Sequence, residues 1–297
     1  MKVLILGATG MLGHKLMQVL SKNYSVTGTV RSDTSALKNH PIFKGKNIAG
    51  RVHADNFQSI RIVIDKETPD IVINCIGIVK QVPAANVPLT SIAINALFPH
   101  QLAKICRQKN IRLIHMSTDC VFSGHRGRYT EDDVSDAEDL YGRTKFLGEL
   151  DYPDCLTIRT SIIGRELETS HGLIEWFLSE EGKTILGFKK AIFSGLTTVA
   201  LSEIIKNIIS DYPALQGVRQ IASEPISKFD LLTILKKAYG IPITIESDET
   251  IIIDRSLIAD KFKTETKIKV PSWEYMIDQM YRDPTPYTQL RGKHVRQ

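Results

Sequence analysis

Short apolar runs alternate with amphipathic stretches through the first half of the chain. Val3–Leu6, Val26–Val30, Ile71–Cys75, Arg112–Met116 and Leu156–Thr160 read as strands buried on both faces. Between them, Leu12, Leu16, Val19 and Leu20 are spaced for one helical face, and further helices are predicted near 57–67, 91–109 and 140–150. A shorter β-like stretch covers 50–54. Strands alternating with helices predict an α/β fold built on a doubly wound parallel sheet.

After Gly164 the pattern changes. Helices are predicted near 172–179, 199–210, 228–239 and 272–282, with short strands near 217–221 and 243–246. Pro271 and Ser272 suit the start of the last of these helices. This half reads as a smaller C-terminal α/β lobe for substrate. The expected division is 1–163 for the nucleotide-binding domain, with 194–222 returning to it, and 164–193 with 223–282 for the lobe. Residues 283–297 read as a flexible basic tail.

Composition narrows the classes without choosing among them. With 297 residues, 42% hydrophobic and 24% charged, the chain is ordinary globular material. No apolar run reaches the roughly 18 residues of a membrane span, and Met1-Lys2 leads straight into a strand rather than an export signal. Cys75, Cys106, Cys120 and Cys155 show no CxxC spacing, which fits reduced thiols in a cytoplasmic protein. The histidines have no ligand spacing, so no metal is assigned. Net charge is +5, but Arg282, Arg291, Lys293 and Arg296 against Asp283 place +3 in residues 282–297. The rest is near neutral, which argues against nucleic acid as a partner.

The chemistry begins at the N-terminus. Gly7-Ala8-Thr9-Gly10-Met11-Leu12-Gly13 follows the first strand and opens the first helix. Glycines there let the backbone turn and approach a pyrophosphate, and the helix start offers free N–H groups. Gly7, Thr9, Gly10, Met11, Leu12 and Gly13 are therefore candidate dinucleotide contacts on a Rossmann-type sheet. After the second strand come Arg31 and Ser32, with no acid until Asp33. A guanidinium beside a hydroxyl suits a 2′-phosphate and favours NADPH, with NADH as the alternative if Asp33 reaches the ribose. Asp55 and Asn56 stand where an adenine amino group is met, or cap the next helix. Cys75, Ile76 and Gly77 end the fourth strand, where a small residue allows close approach to a ribose.

Tyr141 and Lys145 are four residues apart and share a helical face. An ammonium there favours phenolate, so the phenol can act as a proton donor near neutrality although its unperturbed pKa is about 10. Met116 and Ser117 close the fifth strand and, with Tyr141 and Lys145, are candidate cofactor contacts, the lysine able to hold the nicotinamide ribose hydroxyls; Thr118 follows, where ligands gather in such sheets. Thr118, supported by Ser117, is the candidate for binding a substrate oxygen, unless these hydroxyls satisfy strand-end backbone. Asn95 either anchors a water relay to Lys145 or satisfies backbone at a kink. Together these groups have the parts for moving a hydride to or from a carbonyl carbon.

The glycine motif with Ser117-Thr118-Asp119-Cys120-Val121-Phe122-Ser123-Gly124, Tyr141-Gly142-Arg143-Thr144-Lys145 and Arg159-Thr160-Ser161 resembles the extended short-chain dehydrogenase/reductase family. Within it, these segments are similar to the dTDP-4-dehydrorhamnose reductase group over about residues 1–210. The resemblance implies reduction of a nucleotide-linked 4-keto-6-deoxy sugar at C4, with Thr118, Tyr141 and Lys145 as the catalytic triad. It implies substrate contacts from Val79, Thr118, Asp119, Arg165, Trp176 and Ser194, and leaves a homodimer open. Relatives that dehydrate sugars carry Asp-Glu where this chain has Asp119-Cys120, and a thiol does not replace that base. Ile162 stands where rhamnose-forming reductases carry tryptophan, and Lys15 where some members place a magnesium-binding Glu. The Ile162-Ile163-Gly164-Arg165-Glu166 stretch suggests a UDP-linked N-acetyl sugar as the rival to a dTDP sugar. Two other functions are open: a non-catalytic NADP-binding subunit, as in methionine adenosyltransferase, and a 4-epimerase.

Overall fold

In the computed structural model, which describes residues 1–37 and 39–291, the chain separates into two compact units. The first comprises Met1–Ser117, Asp139–Ile158 and Ile205–Val218; the second comprises Thr118–Glu138, Arg159–Ile204 and Arg219–Gln297.

The first unit is built on β1 (Lys2–Leu6), β2 (Ser25–Thr29), β3 (Asn47–Ala49), β4 (Ile71–Asn74), β5 (Arg112–Met116) and β6 (Cys155–Arg159). Together with Gly217–Gln220 at one edge, the sheet order is Gly217–Gln220, β6, β5, β4, β1, β2, β3. The pairs β1–β2, β1–β4, β2–β3, β4–β5 and β5–β6 are parallel. The order reverses beside β1, so the ends of β1 and β4 part at the point where doubly wound sheets take ligands. Helix α1 is Gly13–Leu20 and α2 is Phe57–Glu67. Alternation along β1 sends Leu4 and Leu6 to one face, where they join Ile60, Ile64, Phe98 and Leu102 in a core closed to water.

The helix predicted over 91–109 is three segments: α3 (Pro88–Ser91), a π-helical stretch (Ile92–Leu97) and α4 (Phe98–Gln108). A π turn carries one residue too many for the α ladder and commonly marks a functional site. Helix α5 spans Leu140–Leu147 and packs against that π stretch. Asp139 begins α5, its carboxylate accepting from the Gly142 N–H at 2.7 Å.

The second unit holds short strand pairs rather than one sheet. Ile162–Ile163 pairs with Leu196–Thr197, and Thr184–Phe188 runs parallel to Thr244–Asp248. Ala191–Phe193 pairs with Ile226–Ser227 and Ile253–Asp254. A small core gathers Val121, Phe122, Tyr129, Ala222, Leu257 and Ala259. The helix Lys228–Tyr239 is begun by Ser227, whose Oγ accepts from Asp230 N at 3.0 Å.

Several expectations are corrected. The β-like stretch at 50–54 is not a strand; pairing with β2 occurs at Asn47–Ala49, and the left-handed Arg51 interrupts the extended backbone, although Arg51 N and Val52 N still donate to Ser32 O and Val30 O. Residues 118–138, 160–163, 194–204 and 221–222 group with the second unit rather than with the nucleotide-binding sheet, while Arg159 and Arg219–Gln220 are strand residues of that sheet. The expected tail is ordered at least to Arg291: Tyr287–Arg291 is helical and Tyr287 is buried. Residues 292–297, with the remainder of that expected tail, lie outside the described residues. Among the described residues no helix is long and apolar enough to cross a membrane.

Candidate active site

The glycine loop is shaped by contacts that no side chain would permit. Gly7 has φ +84°, and a Cβ on Gly13 would sit 2.1 Å from the Gly7 carbonyl oxygen. The loop is tied to β2 by Gly7 N–H to Thr29 Oγ1 at 3.2 Å and Ala8 N–H to Thr29 O at 2.9 Å. A Cβ on Gly10, in contrast, would meet only the Gly7 oxygen, at 3.4 Å, so that side of the loop is open. No side chain caps the start of α1. An open glycine backbone at an uncapped helix start is the surface that a pyrophosphate needs, and these residues fit a dinucleotide.

Around the adenosine end, Asp33 is occupied: Oδ1 accepts from Ser35 N–H at 2.9 Å and Oδ2 pairs with Arg51 at 3.1 Å. Arg31 and Ser32 are exposed, and Arg31 makes no ion pair among the described residues. Asp55 and Asn56 are exposed as well, and the Asn56 side chain does not cap α2. At the end of β4, Gly77 is exposed while Cys75 and Ile76 are half-buried. Burial pushes the Cys75 thiol up to about 12, against the pull of Lys145, so this cysteine is an inert thiol.

Lys145 is the centre of the arrangement in the first unit. It is 5% exposed, and its Nζ donates to the Met116 carbonyl at the end of β5 at 2.7 Å. A Cβ on Gly77 would stand 3.8 Å from the same nitrogen. Burial pushes the ammonium down to about 8, while Glu149 and Cys75 act to raise it. Tyr141, one turn earlier on α5, is half-buried. Asn95 resolves in favour of backbone: its Oδ1 accepts from Ile78 N at 2.9 Å and its Nδ2 donates to Ile78 O at 3.1 Å, fixing the loop after β4. Its carbonyl lies so close to Gly148 that a Cβ there would come within 1.9 Å.

Ser117, read as a cofactor contact and a second hydroxyl for the substrate oxygen, instead donates to Glu149 Oε1 at 2.6 Å. Glu149 was not a sequence candidate, although its spacing of four from Lys145 was visible. A second buried pair is Asn74 and His115, joined at 3.0 Å inside the sheet. Burial chiefly, with Lys145 and His100, holds the His115 imidazole well below its ordinary range, hence neutral.

In the second unit, Thr118 takes the strand-end alternative: its hydroxyl accepts from Cys120 N and donates to Asp119 Oδ1, both at 3.1 Å. Asp119 is buried, and burial raises its carboxyl against the opposing charge of Arg255. Arg165 is not a solvated surface residue. Its Nε donates to Glu175 at 2.7 Å, and its guanidinium lies 4.8 Å from the Tyr287 ring centre. Trp176 is 38% exposed rather than core. Ser194 is buried with its Oγ accepting from Leu257 N at 2.8 Å, and the cap of the following helix falls to Thr197. Val79 belongs to the first unit and is exposed. Among the described residues no cluster of His, Cys, Asp or Glu could hold a metal ion.

The family model described as the RmlD substrate binding domain matches residues 1–173. The dTDP-4-keto-6-deoxy-D-glucose reductase of Streptomyces niveus is 33% identical over 148 residues, 49% of this chain and 45% of that protein. The chain therefore spans about half the length of the curated relatives it matches first. The β subunit of methionine adenosyltransferase 2 from Xenopus laevis is 24% identical over 265 residues, covering 81% of this chain and 73% of that one. Among solved structures, dTDP-4-dehydrorhamnose reductase from Bacillus anthracis str. Ames in complex with NADP superposes with a TM-score of 0.78 at 20% identity. That match covers 94% of this chain and 98% of the other, and establishes the Rossmann-type fold.

Proposed function

The chain belongs to the family of the RmlD substrate binding domain, and from that premise we propose that it is an NADPH-dependent reductase of nucleotide-linked 4-keto-6-deoxy sugars, acting at C4. The observation that carries the reading is the station of Lys145, buried one turn after Tyr141 and bound to the carbonyl that ends β5. A cation with no bulk water around it acts strongly on the phenol of its own helix face.

Bound along the Gly7–Gly13 loop, a reduced nicotinamide cofactor supplies the hydride. Tyr141 gives the proton to the sugar's C4 oxygen, and the Lys145 charge stabilises the phenolate left behind. Thr118 offers its hydroxyl to the same oxygen by giving up its bond to Asp119. Arg31 and Ser32 take the 2′-phosphate; the engagement of Asp33 by Ser35 and Arg51 supports NADPH over NADH. Held by Glu175 and Tyr287, Arg165 is proposed to present its remaining N–H groups to the sugar diphosphate, and Trp176 to line the sugar pocket.

Self-association is part of the proposal, because Leu89, Ile92, Leu97, Phe146 and Leu147 leave apolar surface open on the first unit. So is a cytoplasmic location, which four free thiols suit. The test is NADPH oxidation against a panel of dTDP- and UDP-linked 4-keto-6-deoxy sugars, with product configuration read by NMR. Turnover with one of them is expected; NADPH binding without turnover on any would favour the second reading. That reading, a non-catalytic NADP-binding subunit, draws on the long alignment with the Xenopus subunit. Retention of the Tyr141–Lys145 pair weighs against it.

A further inference from the structure

We propose that Glu149, locked in place by the Ser117 hydroxyl, is a positioning residue that keeps Lys145 charged at its buried station. The inference rests on the reductase reading, in which that ammonium serves Tyr141.

Withdrawing a lysine from water disfavours its charged form, and something nearby must offset this if the charge is to persist at neutral pH. The groups facing Lys145 come from four elements. From its own helix and the turn after it come Tyr141 and Glu149. From the end of β4 comes Cys75, whose thiol is pushed up to about 12 by burial and stays neutral. From β5 come the Met116 carbonyl and His115, which burial keeps neutral. From the π-helical stretch comes Asn95, whose amide is spent on Ile78. Among the described residues, Glu149 is the one carboxylate acting on the ammonium, and its effect opposes that of burial.

The segment that carries the carboxylate is fixed at three consecutive residues. Gly148 lies flush against the Asn95 carbonyl. Ser117 Oγ donates to Glu149 Oε1 at 2.6 Å, and Leu150 N donates to Thr157 Oγ1 at 2.9 Å. The strand end that receives Lys145 at Met116 thus receives Glu149 at the next residue. One short segment of β5 and its extension sets the position of both the cation and its counter-charge.

The test titrates Lys145 directly, in the full chain labelled with 13C at lysine Cε, the resonance being assigned by its loss in Lys145→Met. The unsubstituted chain is expected to show a midpoint near 8. Glu149→Gln should move it toward acid by about one unit, Ser117→Ala by less, and Glu149→Asp should restore part of the shift. The alkaline limb of turnover should move with the midpoint, with kcat falling more than KM rises. An unmoved midpoint in folded Glu149→Gln would overturn the inference. Should that variant fail to fold, Ser117→Ala decides, since it keeps the carboxylate and removes its tether. A chain with no turnover would sink the reductase reading alone, because the midpoint is read without substrate.

Discussion

Lys145 and Arg165 are cations withdrawn from water, one in each unit, and their surroundings treat the charge in opposite ways. Lys145 has a neutral carbonyl at 2.7 Å and a carboxylate acting from just beyond the end of its helix, and burial wins, bringing it to about 8. Burial works to lower Arg165 too, but the hydrogen bond and charge of Glu175 carry it above its ordinary value. A carboxylate in direct contact locks a charge, whereas one set a turn away leaves it within reach of a proton exchange. The first arrangement holds a shape; the second is suited to chemistry.

The widest breach of this contrast would come from Tyr141→Phe. If Lys145 serves a proton donor, the variant should lose roughly a thousandfold in kcat while NADPH binding, followed by fluorescence, stays intact. Retained turnover would leave Lys145 as a buried cation without a task. Glu175→Ala addresses the other side. It strands the Arg165 charge and the Glu166 N–H that the same carboxylate accepts at 3.0 Å, and should cost about 3 kcal/mol in urea unfolding. A change below 1 kcal/mol would mean that the pair does not hold the unit together.

Lys145→Met sharpens the comparison through pH. Folded Lys145 releases its proton near 8 rather than the ordinary 10.5, so between those values the unfolded chain binds more protons and stability rises with pH. Below about 8 the penalty of the buried charge is present in full. The variant should therefore be more stable by about 2 kcal/mol at pH 7, with the advantage fading toward pH 10.5, and should be inactive. Equal stability of the two proteins at both pH values would contradict the burial argument. The smallest effect concerns a third cation, Arg31, exposed and without an ion pair among the described residues. Arg31→Ala should lower the preference for NADPH over NADH by about tenfold in kcat/KM.

What could be read in advance was local. The glycine loop, the strands of the parallel sheet and the Tyr141–Lys145 face follow from spacings within one or two elements. The family implied by those motifs is the one to which the chain belongs. The use of Ser117 was hidden because its partner lies 32 residues on, at a helix end whose position depends on the π stretch. The π stretch was itself concealed: the apolar spacing through 91–109 is continuous, and the break reflects packing around Asn95 and Gly148. In the second unit, Thr184–Phe188 alternates in burial, but the exposed place holds Leu186 and a buried one holds Gly187, so the apolar–polar alternation that marks a strand is missing from its sequence. Tyr287 looked like part of a polar tail because the arginine it packs on, Arg165, is distant in sequence.

Gly148 carries a consequence for how this protein can drift. With 1.9 Å between a notional methyl group and the Asn95 oxygen, even the smallest side chain would lever apart the helices that hold the lysine and its counter-charge. Saturation mutagenesis should return glycine alone at 148, while exposed Phe146 and Leu147, two steps and one step before it, accept other apolar side chains. Three neighbouring codons would then evolve at very different rates, and the slow one codes for no functional group at all.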